Sequence, residues 1–138
     1  MLVQAGARYV ILLEGINDIG ASNATAAQLI AGDEQIIAQL HAAGLKIFGG
    51  TLTPFGGSHA GYGGNYGTRY GEAQRETLNR WIRTSGAFDG VIDFAKAVQD
   101  PAHPQRMLPA YDSGDHLHPS DAGYRMMALA ALNALPRR

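Results

Sequence analysis

The sequence lacks cysteine, an excess of basic residues and any long hydrophobic run. Without cysteine, the chain has no disulfide, no thiolate nucleophile and no cysteine-ligated zinc. The 11 Lys and Arg residues against 12 Asp and Glu residues give a formal net charge of −1, which argues against nucleic acid or an anionic membrane surface as a partner. No apolar run approaches the roughly 20 residues that a membrane span needs, so none is predicted.

The length and the N-terminal residues set two further expectations. A chain of 138 residues suffices for one domain with a hydrophobic core and is short for two, so residues 1–138 are expected to form a single domain. The N-terminal residues lack the basic start and the apolar core of a signal peptide. The chain is therefore expected in the cytoplasm, or as a fragment of a secreted parent.

Apolar runs and apolar periodicity alternate along the chain. Short apolar runs predict three strands, at Arg8–Leu13, Leu45–Phe48 and Val91–Phe94. Apolar residues at helical spacing predict three helices, at Thr25–Ala43, at Arg69–Thr84 and from an N-cap at Ser120 to Leu135. Glycine and proline predict long loops at 54–68 and 99–119. The first run, unbroken and flanked by glycine, favours a strand that is buried on both faces. This alternation predicts an α/β fold with a parallel sheet of about three strands.

Two polar clusters fall where the predicted topology concentrates ligand sites. One is Gly15-Ile16-Asn17-Asp18, directly after the first strand, and the other is Asp115-His116-Leu117-His118-Pro119, before the last helix. Ligands of open parallel sheets bind beyond the carboxyl ends of the strands. An Asp three residues before a His can orient the imidazole as a general base, and an Asn at a strand end can donate to an oxyanion.

Each cluster also has a purely structural explanation. Asn and Asp after a strand are common turn residues, so Asn17 could serve only to form a turn. Asp115 and His118 could tie the loop to the following helix, where an acidic residue is favoured. His116 and His118 together are too few ligands for zinc, and no metal or other cofactor is expected.

At these residues the chain resembles the SGNH hydrolases, the GDSL-type esterases and lipases. Gly15-Ile16-Asn17-Asp18 is similar to that family's third block, Gly-x-Asn-Asp, whose Asn is an oxyanion donor. Asp115-x-x-His118 is similar to its fifth block, which supplies the acid and the base of a catalytic triad. The two motifs follow in the family's order, about 100 residues apart. The resemblance implies a three-layer α/β/α, flavodoxin-like fold and hydrolysis of carboxylic esters, with Gly15 beside the substrate.

The chain departs from the family pattern in one important respect. The family's first block, Gly-Asp-Ser with the nucleophilic serine, and its second block, with an oxyanion glycine, are both absent. The resemblance therefore covers the C-terminal half of the family's fold. Among the five serines, Ser58 is the best candidate for a substitute nucleophile, because it follows the second strand on the predicted catalytic side. Tyr62 and Tyr66 could form a substrate-binding wall or could merely pack the glycine-rich loop.

Two hypotheses about function follow from these motifs. The first is an ester hydrolase that acts on a small acyl ester, such as an acylated sugar or a short-chain ester. The second is a catalytically impaired remnant that binds a ligand or needs a partner. In both cases a homodimer is expected through Arg8–Leu13, since the strand that lies beside it in the family is missing and a bare apolar edge favours pairing.

Overall fold

A computed structural model describes residues 6–136. In chain order the elements are β1 (Tyr9–Leu12), α1 (Ile16–Gly20), α2 (Ala26–Ala42), β2 (Lys46–Gly50), α3 (His59–Tyr62), α4 (Arg69–Thr84), β3 (Gly90–Ile92), α5 (Phe94–Val98), β4 (Gln99–Asp100), β5 (His103–Met107) and α6 (Asp121–Ala134). None of the helices within this range is long and apolar enough to cross a membrane.

The main sheet contains three parallel strands in the order β1-β2-β3. Ile11 of β1 pairs with Phe48 of β2, and Phe48 pairs in turn with Gly90 of β3. The predicted parallel sheet of three strands is therefore confirmed. Because the strands are parallel, the segments that follow them emerge at one edge of the sheet.

Two apolar cores lie on opposite faces of β2. Ile47 belongs to the core that β2 shares with α2 and α4, which includes Leu40 and Leu78. Its neighbour Phe48 belongs to the other core, which includes Met127 of α6. Successive side chains of a strand point to opposite faces, so these two residues separate the layers. The predicted α/β/α arrangement is confirmed.

The three predicted helices form with boundaries close to those expected. Thr25 caps α2 through a capping box with Gln28, and Thr68 caps α4 through the backbone N–H of Gly71. The predicted cap at Ser120 is confirmed, since its hydroxyl accepts a hydrogen bond from the N–H of Gly123.

The prediction that the first strand is buried on both faces is wrong. β1 is an edge strand in the part of the chain that the structure describes, and Tyr9 and Ile11 are 45% and 42% exposed. Tyr9 packs edge-on against Phe48 of β2, but within residues 6–136 β1 has a neighbouring strand on one side only, so this face is half-covered.

Four further differences concern short elements. The third strand ends at Ile92 rather than Phe94, because Asp93 accepts a hydrogen bond from the N–H of Lys96 and caps α5. α1 and α3 are single turns that hydrophobic periodicity does not detect. The predicted loop at 99–119 contains the antiparallel hairpin β4–β5, which tolerates Pro104 because a two-stranded ribbon leaves backbone groups unpaired.

Candidate active site

Gly15 forms the turn that connects β1 to α1. Its φ of +119° is rarely adopted by other residues, and a Cβ there would lie 3.2 Å from Leu29 and 3.4 Å from Leu78. A glycine therefore allows the chain to turn tightly against the core. The turn places Asn17 in the first turn of α1, beyond the carboxyl end of β1.

Asn17 is oriented by a tyrosine from the glycine-rich loop. The hydroxyl of Tyr66 donates to Asn17 Oδ1 at 2.8 Å. Because the amide oxygen is engaged in this way, the Nδ2 amine remains available as a donor. The ring of Tyr66 lies against Gly20, where any Cβ would collide with it.

The loop before α6 is folded by two aspartates that accept backbone hydrogen bonds. Asp112 Oδ1 accepts from the N–H groups of Gly114 at 2.7 Å and His116 at 3.0 Å. Asp115 Oδ1 accepts from the N–H groups of Leu117 at 2.9 Å and His118 at 2.8 Å. These side-chain turns fix the position of Asp115 relative to His118.

Asp115 and His118 form a close carboxylate–imidazole pair. Asp115 Oδ2 lies 2.7 Å from His118 Nδ1, and the hydroxyl of Tyr62 donates to the same Oδ2 at 2.8 Å. Burial acts to raise the pKa of the Asp115 carboxyl, but the hydrogen bonds from His118, Leu117 and Tyr62 outweigh it and hold that pKa well below its ordinary value. The ionised carboxylate orients the ring through Nδ1 and leaves Nε2 for chemistry.

Asn17 and His118 line one pocket of about 200 Å³. Gly15 contributes to its wall after β1, and Leu52 and Thr53 contribute after β2. The pocket is lined by Leu13, Glu14, Gly15, Ile16, Asn17, Leu52, Thr53, Leu117, His118, Pro119, Tyr124 and Met127. The arrangement brings a potential general base and a potential amide donor to the same cavity, at the carboxyl edge of the sheet.

Tyr62 and Tyr66 are not among the residues that line this pocket. Their hydroxyl groups bond to Asp115 and to Asn17, and their ring centroids lie 5.6 Å apart. The sequence suggests that these tyrosines form a substrate-binding wall or pack the glycine-rich loop. Neither possibility includes the hydrogen bonds that their hydroxyl groups make. The sequence offers no signal for them, since they join residues more than 40 positions apart.

Ser58 does not join the pocket. Its side chain is fully buried, and its hydroxyl donates to the backbone oxygen of Phe55 at 2.6 Å. The serine thereby closes the turn that precedes α3, which accounts for a hydroxyl at this position. This geometry corrects the expectation of a nucleophile at Ser58, because the oxygen is neither exposed nor hydrogen-bonded to His118.

A second imidazole–carboxylate pair lies beside the first. His116 Nδ1 lies 2.6 Å from Asp112 Oδ2, and His116 adopts a positive φ of 62°. This pair lines a different cavity, with His103 and Arg106 of the hairpin. Within residues 6–136, no group of three or more His, Asp or Glu side chains could hold a metal ion.

A buried polar network supports the floor of the pocket and was missed in the sequence. Asn79 bonds both backbone groups of Leu52, and Arg75 Nη1 donates to the same carbonyl oxygen at 3.1 Å. Arg75 is also bound by Glu72 and Glu76. These residues lie on the buried side of α4, where the sequence pattern predicts packing alone.

The structure thus combines a parallel α/β/α sandwich with a His–Asp pair and an Asn at one edge of its sheet. The model of the GDSL-like lipase/acylhydrolase family matches residues 1–126, and the chain belongs to this family. No curated protein matches the chain.

Solved structures share the fold. A Streptococcus pneumonia protein described as a candidate platelet activating factor is 18% identical, with a TM-score of 0.77, over 96% of this chain and 61% of its own. A GDSL-like lipase from Bacteroides thetaiotaomicron is 16% identical, with a TM-score of 0.72, over 91% of this chain and 60% of its own. The chain thus spans about three fifths of the length of these relatives. At such identities the likeness shows the fold alone.

Proposed function

We propose that this chain carries the acid–base and oxyanion groups of a carboxylic ester hydrolase. His118 acts as general base and then as general acid, Asp115 orients it, and Asn17 Nδ2 donates to the developing oxyanion. The observation that carries the proposal is the shared pocket of Asn17 and His118, with Asp115 Oδ2 at 2.7 Å from the Nδ1 of the base. Family membership supports a hydrolase of the esterase or lipase type.

The proton moves through His118 Nε2 in both halves of the reaction. A hydroxyl oxygen attacks the ester carbonyl as Nε2 accepts its proton, and the carbonyl oxygen becomes an oxyanion that Asn17 stabilises. When the tetrahedral intermediate collapses, Nε2 returns the proton to the leaving alkoxide. The products are an alcohol and an acyl group on the attacking oxygen.

No serine within residues 6–136 is among the residues that line the pocket of Asn17 and His118. Ser58 is buried on Phe55, and the hydroxyl of Ser120 donates to the backbone oxygen of Ala110 at 2.9 Å. We infer that this chain by itself activates water beside His118. A serine hydroxyl from a further segment or chain would occupy the same position, in which case an acyl-enzyme precedes hydrolysis.

The size of the pocket favours a short acyl group. A volume of about 200 Å³ is below the roughly 300–1,000 Å³ of pockets for drug-sized ligands. The apolar side chains of Leu13, Leu52 and Met127 line it together with Asn17 and His118. We propose acetyl-like esters, including acetylated sugars, as substrates.

The test is the hydrolysis of p-nitrophenyl acetate by the chain and three variants. His118→Ala is expected to lower kcat/KM to background, since general base catalysis contributes about 10²- to 10⁴-fold. His103→Ala is the matched control, because His103 also pairs with an aspartate, Asp100, at 3.1 Å but lies on the hairpin. Ser58→Ala is expected to retain activity. Equal turnover by the parent and His118→Ala would end the enzyme proposal.

A second candidate function is a half-domain that depends on a partner. The exposed Tyr9 and Ile11 on the edge strand β1 favour it, because a bare apolar edge is a template for another strand. In this case the chain alone would show no turnover above background. Ligand binding at the pocket of Asn17 and His118 would then persist without hydrolysis.

A further inference from the structure

Two tyrosines connect the base side of the pocket to the oxyanion side. Tyr62 is the last residue of α3, and Tyr66 follows in the turn before α4. Tyr62 bonds Asp115 and Tyr66 bonds Asn17, each at 2.8 Å. The rings contact each other with centroids 5.6 Å apart, so one short segment contacts both partners.

We propose that Tyr62 and Tyr66 are positioning residues for the hydrolytic site: Tyr62 holds Asp115 Oδ2 against His118, and Tyr66 holds the Asn17 amide with Nδ2 free to donate. This inference rests on the proposed function for its catalytic consequence. Its structural part, the effect of each hydroxyl on its partner, stands independently of turnover.

The carboxylate of Asp115 is saturated with donors. Oδ1 accepts two backbone N–H groups, from Leu117 and His118, while Oδ2 accepts the ring of His118 and the phenol of Tyr62. The phenol shares Oδ2 with the imidazole, so it helps to hold this oxygen in place against His118 Nδ1. The hydrogen bond to Asp115 also raises the pKa of Tyr62, which keeps the phenol protonated as a donor.

The bond from Tyr66 engages one end of the Asn17 amide. The Tyr66 hydroxyl donates to Asn17 Oδ1 at 2.8 Å, which leaves Nδ2 as the free end. Rotation of the amide by 180° would place the amine against the hydroxyl and the oxygen toward the pocket, where it would repel an oxyanion. Gly20 makes this contact possible, because it lets the ring of Tyr66, which is 8% exposed, pack against α1.

The first arm of the test is spectroscopic and needs no turnover. In Tyr62→Phe, the 15N and 1H signals of the His118 Nδ1 group are expected to move, while the Asn17 side-chain amide signals stay. In Tyr66→Phe, the Asn17 amide signals are expected to move and those of His118 to stay. Tyr70→Phe is the control, since Tyr70 is exposed as Tyr62 is and its hydroxyl bonds to no other described residue. Unchanged His118 signals in Tyr62→Phe, or unchanged Asn17 signals in Tyr66→Phe, would overturn the inference.

The second arm separates positioning from substrate contact. Each Tyr→Phe variant is expected to lower kcat for p-nitrophenyl acetate by about tenfold with KM unchanged. Loss of a hydrogen bond that positions a charged group, or a group that stabilises developing charge, slows the chemical step by about this factor. A rise in KM at constant kcat would instead assign these residues to a substrate wall and overturn the proposal. If the parent chain shows no turnover, the proposed function fails and the spectroscopic arm alone decides the inference.

Discussion

The buried side chain of Asn79 hydrogen-bonds both backbone groups of Leu52. Its Oδ1 accepts from the Leu52 N–H at 2.7 Å, and its Nδ2 donates to the Leu52 oxygen at 2.9 Å. Leu52 follows β2 and lines the pocket. Asn79 of α4 therefore bonds the Leu52 backbone as a neighbouring strand would. These bonds fix the backbone that lines the candidate active site.

Loss of the two hydrogen bonds between Asn79 and Leu52 is expected to destabilise the fold. Asn79→Ala leaves the Leu52 N–H without this acceptor, while the Leu52 oxygen keeps Arg75 Nη1 as a donor, at a cost of about 1–3 kcal/mol in the free energy of unfolding. Asn133→Ala, on the exposed side of α6, is the control and should change stability by less than about 0.5 kcal/mol. Urea denaturation measures both variants. A decrease in the free energy of unfolding below about 1 kcal/mol for Asn79→Ala would contradict a stabilising role of these two hydrogen bonds.

Two helical glycines are expected to respond in opposite directions to alanine. At Gly20 a Cβ would collide with the ring of Tyr66, whereas at Gly32 of α2 it would meet nothing within 4 Å. Gly20→Ala should destabilise by about 1–3 kcal/mol through overpacking. Gly32→Ala should stabilise by up to about 1 kcal/mol, because alanine favours the helix. Thermal unfolding distinguishes the two, and equal effects would argue against the Tyr66 contact.

The raised pKa of the Asp33 carboxyl makes the stability of the protein depend on pH. Burial, and then the charge of Asp18, raise the pKa of Asp33 from 3.8 to about 6. A raised folded-state pKa means that the native state holds the proton more tightly, so the contribution of Asp33 to stability is largest below pH 4 and is lost as the pH rises through 6. Partial exposure of the carboxyl limits this loss to about 1 kcal/mol.

Asp33→Asn removes this titration. The variant is expected to be more stable than the parent at pH 8, with the difference disappearing near pH 4, as measured by urea denaturation across this range. Glu34→Gln, at the exposed neighbouring position, is the control and should not reproduce the pattern. A difference that is constant with pH would show that the charge of Asp33 is not the cause.

The homodimer through Arg8–Leu13 remains a prediction. β1 is an edge strand among the described residues, with Tyr9 and Ile11 exposed, and sedimentation at micromolar concentration is expected to give twice the chain mass of 14.7 kDa. Ile11→Lys should yield monomers that keep the native spectrum. Ile36→Lys, on the exposed side of α2, should leave the dimer intact. A monomeric parent, or equal effects of both variants, would contradict the prediction.

The large elements could be predicted from the sequence because each carries its own signal. The helix at Arg69–Thr84 combines apolar periodicity with a threonine cap, and the parallel order follows from strands that alternate with helices. α1 and β4 are too short for periodicity, and the burial of β1 depends on neighbours that the sequence pattern does not specify. These parts were missed or wrong for this reason.

Some contacts of the candidate site could likewise be predicted from local sequence, and others could not. The approach of Asp115 to His118 follows from local spacing in a loop closed by proline, so the sequence predicts it. The bonds of Tyr62 to Asp115 and of Tyr66 to Asn17 cross the fold, and only the packing of the glycine-rich loop brings them together. The burial of Ser58 is likewise a tertiary result, since the sequence places it in a glycine-rich loop.

The role of His118 as the base is tested most directly by restoring the missing imidazole to a His118→Ala variant. The cavity left by the ring adjoins Asp115 and Asn17, so free imidazole can occupy it and bind Asp115 as the side chain does. Hydrolysis of p-nitrophenyl acetate by His118→Ala is measured with and without imidazole, against the solution rate of imidazole itself. We expect a saturable recovery above that rate, which disappears in the double variant with Asn17→Ala. A parent rate no higher than that of His118→Ala, or a recovery that is linear in imidazole, would contradict the assignment of His118 as the base.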